Sequence, residues 1–198
     1  MPTEELPMSD AGPPVPESPR RAELLDLAYG YVLDHGIESL SLRPLAKAIG
    51  SSPRVLLYLF GSKDELVREL LARVRTEQLA GLRAAFDRPA DAAGTDPGVD
   101  ELVDRVWTVL GAPEQRPLVR LTYEAFLGAL RPDAGPWTGF AAEQLGDWLD
   151  VLRDAQPATA PRVADARATR ALAIVRGLLL DLLARDEPDR VRSALRQS

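Results

Sequence analysis

The 198-residue sequence predicts an all-α fold of about nine helices. Three observations carry that prediction. Apolar residues recur at three- and four-residue intervals over most of the chain, and Ser or Pro start signals precede these runs with Gly or Pro behind them. No stretch alternates apolar with polar residues as a strand does. Composition then removes several function classes. The absence of cysteine excludes disulfides and thiolate metal sites, and a lone His35 excludes any site built on a histidine cluster. There is no Gly-rich phosphate loop, HExxH or GxSxG, and Asp147 and Asp150 do not share a helical face with a partner motif. An enzyme is therefore not expected, nor a cofactor or a metal.

In chain order, residues 1–17 hold five prolines and four acidic residues with no basic start or apolar run, which predicts a disordered tail and neither signal peptide nor membrane anchor. Ser18-Pro19 opens a first helix, whose Leu24, Ala28, Tyr31 and Val32 repeat at helical spacing until His35-Gly36 ends it. His35 at that end serves the helix dipole more readily than a ligand.

The stretch Ser41–Phe60, SLRPLAKAIGSSPRVLLYLF, reads as two short helices joined by a tight turn. Ser41 caps the first, Pro44 is tolerated in its first turn, and Gly50 stops it. Ser52 caps the second with Pro53 at its first position. Val55, Leu56, Leu59 and Phe60 are expected to face inward, leaving Arg54, Leu57 and Tyr58 outside. A helix presented this way docks in a major groove, although two helices packed only for stability would have the same pattern. Ser62 with Glu65 forms a capping box at the head of a long helix with an apolar stripe of Leu66, Val67, Leu70, Leu71 and Val74.

Charge is distributed to suit such a motif. The chain carries −6 overall, but residues 18–83 hold 10 basic and 8 acidic residues, whereas residues 1–17 and 84–198 each contribute −4. Both lysines, Lys47 and Lys63, lie in the positive segment, as expected if one end approaches phosphates.

Residues 18 to about 80 resemble the DNA-binding module of the tetracycline-repressor (TetR) family of bacterial regulators. The resemblance rests on the helix-ending Gly36, the run from Leu45-Ala46 to Ile49-Gly50-Ser51-Ser52, and Leu56-Leu57-Tyr58-Leu59-Phe60-Gly61-Ser62-Lys63. Leu57 and Leu59 depart from it, standing where the family usually shows a tyrosine and a histidine. The resemblance implies that Ser41, Arg43, Ser52, Arg54, Leu57, Tyr58 and Lys63 form a double-stranded DNA surface. In it Tyr58, Lys63 and Ser41 would hold phosphates, Arg54 would read a guanine edge, Arg43 would take phosphate or base, and Leu57 would touch a thymine methyl. For each arginine, an ordinary solvated charge is the competing explanation.

Asp87–Gly98, dense in Pro, Gly and Asp, reads as a connection, so the expected division is a tail at 1–17, a helix-turn-helix domain at 18–80 and a helical regulatory and dimerisation domain at 81–198. In the last of these, Glu101–Leu110, Pro113–Leu130, Trp137–Ala155 and about Ala160–Ala184 read as helices, with a further short one at Glu187–Arg196. Trp107, Tyr123, Phe126, Trp137, Phe140 and Trp148 are either pocket walls for a small-molecule effector or ordinary core, with Glu124 or Arg120 as a polar handle. Ala171–Leu183 is apolar around most of its circumference and needs cover on several sides, from the chain's own core or from a second subunit. The segment is too short and too charged to span a membrane. The resemblance favours a homodimer, with Ile174, Leu178, Leu179 and Leu182 as interface. It implies a cytoplasmic, ligand-responsive repressor on a palindromic operator; the rival reading is a helical dimeric sensor with weakened DNA binding.

Overall fold

The computed structural model describes residues 18–87 and 96–195, all of whose regular structure is helical. The tail expected at 1–17, most of the connection at 87–98 and Arg196 lie outside the described residues. The helices are α1 (Pro19–His35), α2 (Leu42–Ala48), α3 (Pro53–Phe60), α4 (Lys63–Phe86), α5 (Val99–Leu110), α6 (Arg116–Ala129), α7 (Phe140–Asp154), α8 (Pro161–Arg185) and α9 (Pro188–Leu195). Single 3-10 turns at Pro113–Gln115 and Gly135–Trp137 precede α6 and α7. Those turns shorten two expected helices. Gly139, left-handed at φ 85°, forms the N-cap of α7 and leaves Trp137 in the preceding turn.

Local signals explain most helix ends. The hydroxyls of Ser18, Ser52 and Ser62 each accept the N–H three residues on, from Arg21, Val55 and Glu65 at 3.1–3.2 Å. The capping box at Ser62 is only half formed, because the Glu65 carboxylate turns to Arg68 at 2.9 Å. Ser41 occupies the N-cap position of α2, but its side chain makes no cap bond. Gly36, at φ 81°, closes α1 by donating to the Val32 carbonyl, and His35 Nδ1 lies 2.9 Å from the Tyr31 carbonyl with the two rings stacked. Tyr31 is half-buried against the first apolar cluster, as expected, and Tyr29 beside it is buried as well.

Two apolar clusters hold the molecule together. One joins α1 through the first half of α4 and extends to Leu118, Leu121, Ala125 and Phe140 of α6 and α7; the other joins Leu82 of α4 to α5–α8. α4 runs unbroken through residue 80, where the division between domains was expected, and contributes to both. Polar contacts also tie the halves together. Arg75 of α4 pairs with Glu143 and Asp147 of α7, and Glu38 pairs with Arg131. The α6 side chains reach the end of α1, where Glu124 Oε2 accepts the Ile37 N–H at 2.9 Å and Arg120 donates to the Leu33 carbonyl at 3.1 Å. No helix among the described residues is long and apolar enough to cross a membrane.

Candidate functional site

The face of α3 is set by what the helix buries. Leu56 and Phe60, four residues apart, sit in the first cluster, and burying side chains of this size contributes about 1.5–3 kcal/mol each. Fixing those two inward fixes the roll of the helix, and at 100° per residue Arg54 and Tyr58 then stand on the opposite side. Tyr58 is 78% exposed, and Arg54 and Leu57 are exposed beside it. Val55, expected inside, is also exposed, because the inward stripe of so short a helix is only wide enough for Leu56, Phe60 and the half-buried Leu59. Arg21 of α1 pins the helix's far end: its Nε donates to the Leu59 carbonyl at 3.2 Å, its guanidinium pairs with Glu69, and it lies 5.1 Å over the Phe60 ring.

Electrostatics single out the same face. Residues 41–63 contain Arg43, Lys47, Arg54 and Lys63 and no acidic residue. All four cations are exposed, and none has an ion-pair partner among the described residues. By contrast, the arginines just outside this stretch are matched: Arg20, Arg21, Arg68 and Arg73 each hold a carboxylate. Cations left without internal counterions are available to external phosphates. Ser41 and Ser52 are exposed on the same elements, and the uncommitted Ser41 hydroxyl is free to donate or accept.

A second feature is a cavity of about 420 Å³ of atom-free space, its mouth included, among α4, α5, α6, α7 and α8. Of the six aromatic residues expected there, Tyr123, Phe126 and Trp148 line it, and Trp107, Trp137 and Phe140 do not. Trp137 lies flat on Gly128, where an added Cβ would stand 2.8 Å from the ring, and Phe140 packs in the first cluster. Trp107 folds back over Gly111, within 2.5 Å of where a Cβ would be. The polar handle also differs from expectation. Glu124 and Arg120 point to α1, as described, and the polar wall is made by Gln78, Gln144 and Arg176.

Gln144 Nε2 donates to Gln78 Oε1 at 2.7 Å, and the Tyr123 hydroxyl donates to the Arg176 carbonyl at 2.5 Å. Burial pushes the Tyr123 phenol up to about 12. A single buried Gln on an otherwise apolar helical stripe was a legible signal for this wall; Arg176 was not, since one arginine in the apolar run of α8 reads equally well as a surface charge.

The dimer surface expected on α8 needs correction too. Leu179 and Leu182 are 3% and 4% exposed; Leu179 is taken up by the second cluster, and Leu182 offers only the small area with which it lines the groove beside α6. Ile174 and Leu178 are half-buried. The outward stripe of α8 is instead Ala173, Gly177, Leu180 and Ala184, spaced four, three and four residues apart.

Comparison with known proteins agrees with this geometry. Residues 24–70 match the family described as bacterial regulatory proteins, tetR family. The chain is 33% identical over 73 residues to the HTH-type transcriptional regulator BetI of Rhizobium meliloti (strain 1021), a stretch that spans 35% of this chain and 36% of that relative. Among solved structures, the multidrug binding protein EbrR, complexed with imidazole, is similar at 29% identity and a TM-score of 0.63, over 91% of this chain and 90% of its own. A transcriptional regulator of Rhodococcus sp. Rha1 shares the fold at 20% identity and a TM-score of 0.70, over 88% of this chain and 91% of its own. The matched segment runs from Leu24 of α1 to Leu70 of α4 and encloses the unpaired cations and the outward face of α3, so the likeness to the tetR family of bacterial regulatory proteins lies in this module.

Proposed function

We propose that the chain is a DNA-binding transcriptional regulator, a repressor that sits as a homodimer on a palindromic operator and is released by a small-molecule effector. The observation that carries the reading is the exposed, acid-free stretch from Ser41 to Lys63, whose four cations have no counterion among the described residues. In this reading α3 enters the major groove. Arg54 bonds both acceptors of a guanine, Leu57 and Val55 offer apolar contact to thymine methyls, and Tyr58, Lys63, Arg43 and the Ser41 and Ser52 region hold the phosphates on either side.

The homodimer is supported by an apolar face that the described residues leave uncovered. Leu180 of α8 is 55% exposed, and Leu127 and Leu130 at the end of α6 are more so. Arg116, Pro117 and Arg120 of α6 line a groove with Leu180, Leu183 and Ala184 of α8, so the two helices adjoin and present one surface. Small residues at Ala173 and Gly177 would let a second copy's helix approach closely, and a two-fold pair would set two copies of α3 about 34–36 Å apart, or a multiple of that.

The effector reading is supported by the cavity between α4 and α8 and by the similarity to EbrR, which holds imidazole and proflavin. An effector would act through differential affinity for two arrangements of α4 and α6, and coupling to DNA would be reciprocal. The direct test is a gel shift with the promoter beside the chain's own gene. The expected result is a sequence-dependent complex that weakens steeply with salt; no shift at any operator-like sequence would count against the reading.

A second reading, a helical dimeric sensor with weakened DNA binding, is favoured by Leu57 and Leu59, which stand at positions where the resembling family offers polar groups. Alanine at Tyr58 and Lys63 separates the two. Promoter binding that falls in both variants supports the regulator, and a parent chain without promoter binding supports the sensor.

A further inference from the structure

We propose that the cavity among α4, α5, α6, α7 and α8 takes a small amphipathic acid, its carboxylate against Arg176 and its apolar body against Leu110, Val119, Phe126 and Leu179. This assignment rests on the effector-site reading above and gives it a chemical class.

Among the described residues Arg176 is the one charged group in the cavity wall, and no Asp or Glu lines it. Its guanidinium lies 4.9 Å from the Phe126 ring and 5.9 Å from the Trp148 ring, and it has no carboxylate partner among the described residues. Among the other half-buried arginines, Arg167 likewise lacks an acid and bonds the Thr159 hydroxyl at 3.2 Å, whereas most are paired. Arg21, Arg75, Arg105 and Arg116, whose side chains are a third exposed or less, each pair with an acid. A cation withdrawn from water without a counterion is costly, and burial indeed holds the Arg176 guanidinium below its ordinary range. The ring faces offset part of that cost and leave the in-plane N–H donors for an anion.

Two further groups point the same way. Among the described residues neither Trp148 Nε1 nor Gln144 Oε1, both buried, has a hydrogen-bond partner, and a buried donor or acceptor left so is destabilising. A carboxylate accepts from both the guanidinium and the indole N–H, and a hydroxyl or amide N–H on the same ligand would satisfy Gln144. A cationic ligand would meet like charge with nothing to neutralise it.

The test uses the full chain and two sets of matched probes: 4-phenylbutyrate, 4-phenylbutan-1-ol and 4-phenylbutylammonium, then octanoate, octanol and octylammonium, titrated by calorimetry and by tryptophan emission. At least one acid is expected to bind about tenfold or more tighter than its alcohol and ammonium counterparts. R176Q should abolish that preference while leaving the alcohol's affinity in place, and R176K, which keeps the charge, should retain part of it. The proposal is overturned if an ammonium probe binds as tightly as its acid, if R176Q binds the acid undiminished, or if neither acid binds the parent chain. Should any of these occur while the promoter gel shift persists, the regulator reading stands without this ligand class; acid binding by a chain that shifts no promoter would have the opposite meaning.

Discussion

Arg54 bears the most specific demand made of any single side chain, because a guanidinium opposite the buried Leu56–Phe60 edge can reach a base only if α3 keeps its roll. Arg54→Ala is expected to weaken operator binding by about 1–3 kcal/mol and to relax the preference at one base pair, read by titrating labelled operators that differ at that pair. Lys63→Ala should behave differently. It removes a point charge from phosphate, so affinity should fall on every sequence alike and the slope of log affinity against log salt should shrink by about 0.9 for each phosphate no longer neutralised. Ser52→Ala removes the hydroxyl that holds the Val55 N–H at 3.2 Å, and a loss of about 1 kcal/mol in urea unfolding is expected. The cap at Ser52 and the outward Arg54 and Tyr58 were legible in the sequence because they follow from a start signal and a 3.6-residue period. Val55 was not, since an eight-residue helix offers too few turns to tell the edge of its buried stripe from the middle. Tyr29 was missed for a similar reason: it flanks the stripe that carries Tyr31, which packs half-buried against the first cluster while stacking on His35, and both tyrosines lie inside the stripe's true width.

At the scale of elements, α6 is the piece that faces two ways. One side carries Tyr123 and Phe126 into the cavity, and another carries Arg120 and Glu124 to the last turn of α1 and the residue after Gly36. The approach to α1 is close: a Cβ on Gly36 would stand 2.9 Å from a Glu124 carboxylate oxygen, in a backbone conformation at φ 81° that L side chains rarely adopt. Glu124→Gln keeps the shape and removes the charge that accepts the Ile37 N–H. The expected outcome is a smaller change in operator affinity on adding effector, with effector affinity itself little altered, measured by gel shift and calorimetry on the same preparation. An unchanged ligand response would show that α6 transmits nothing through this hydrogen bond. None of this was legible in the sequence. Glu124 sits 87 residues from Ile37 in the chain, and periodicity reports which face of a helix is apolar, not which distant carbonyl or N–H its polar residues meet. The helix boundaries near Pro113 and Gly139 differ from expectation for a local reason, 3-10 turns that continue a helical pattern without the helix.

For the whole molecule, the uncovered face of α6 and α8 makes an oligomer prediction. Leu180→Glu places a charge at the centre of the apolar surface, and a shift from dimer to monomer is expected by light scattering, together with loss of tight binding to a two-half-site operator. A chain already monomeric, or a variant that stays dimeric, would move the interface elsewhere. The apolar run of α8 was visible in the sequence, but its partners were not. Leu179 and Leu182 look as suitable for a partner as Leu180 does, and only packing against α5 and α7 decides which of them is already occupied.

The unbroken course of α4 has a mechanical meaning. Lys63 begins the helix and Gln78 stands in the cavity wall fifteen residues along, about 22 Å away at 1.5 Å per residue. A rod of that length pivoting near the wall by about 5° carries its tip roughly 2 Å sideways, several times the roughly 0.5 Å over which a hydrogen bond to a phosphate oxygen survives. A molecule no larger than one ring and a short tail could therefore dislodge the grip on a duplex by geometry alone, without unfolding a single turn between the two ends.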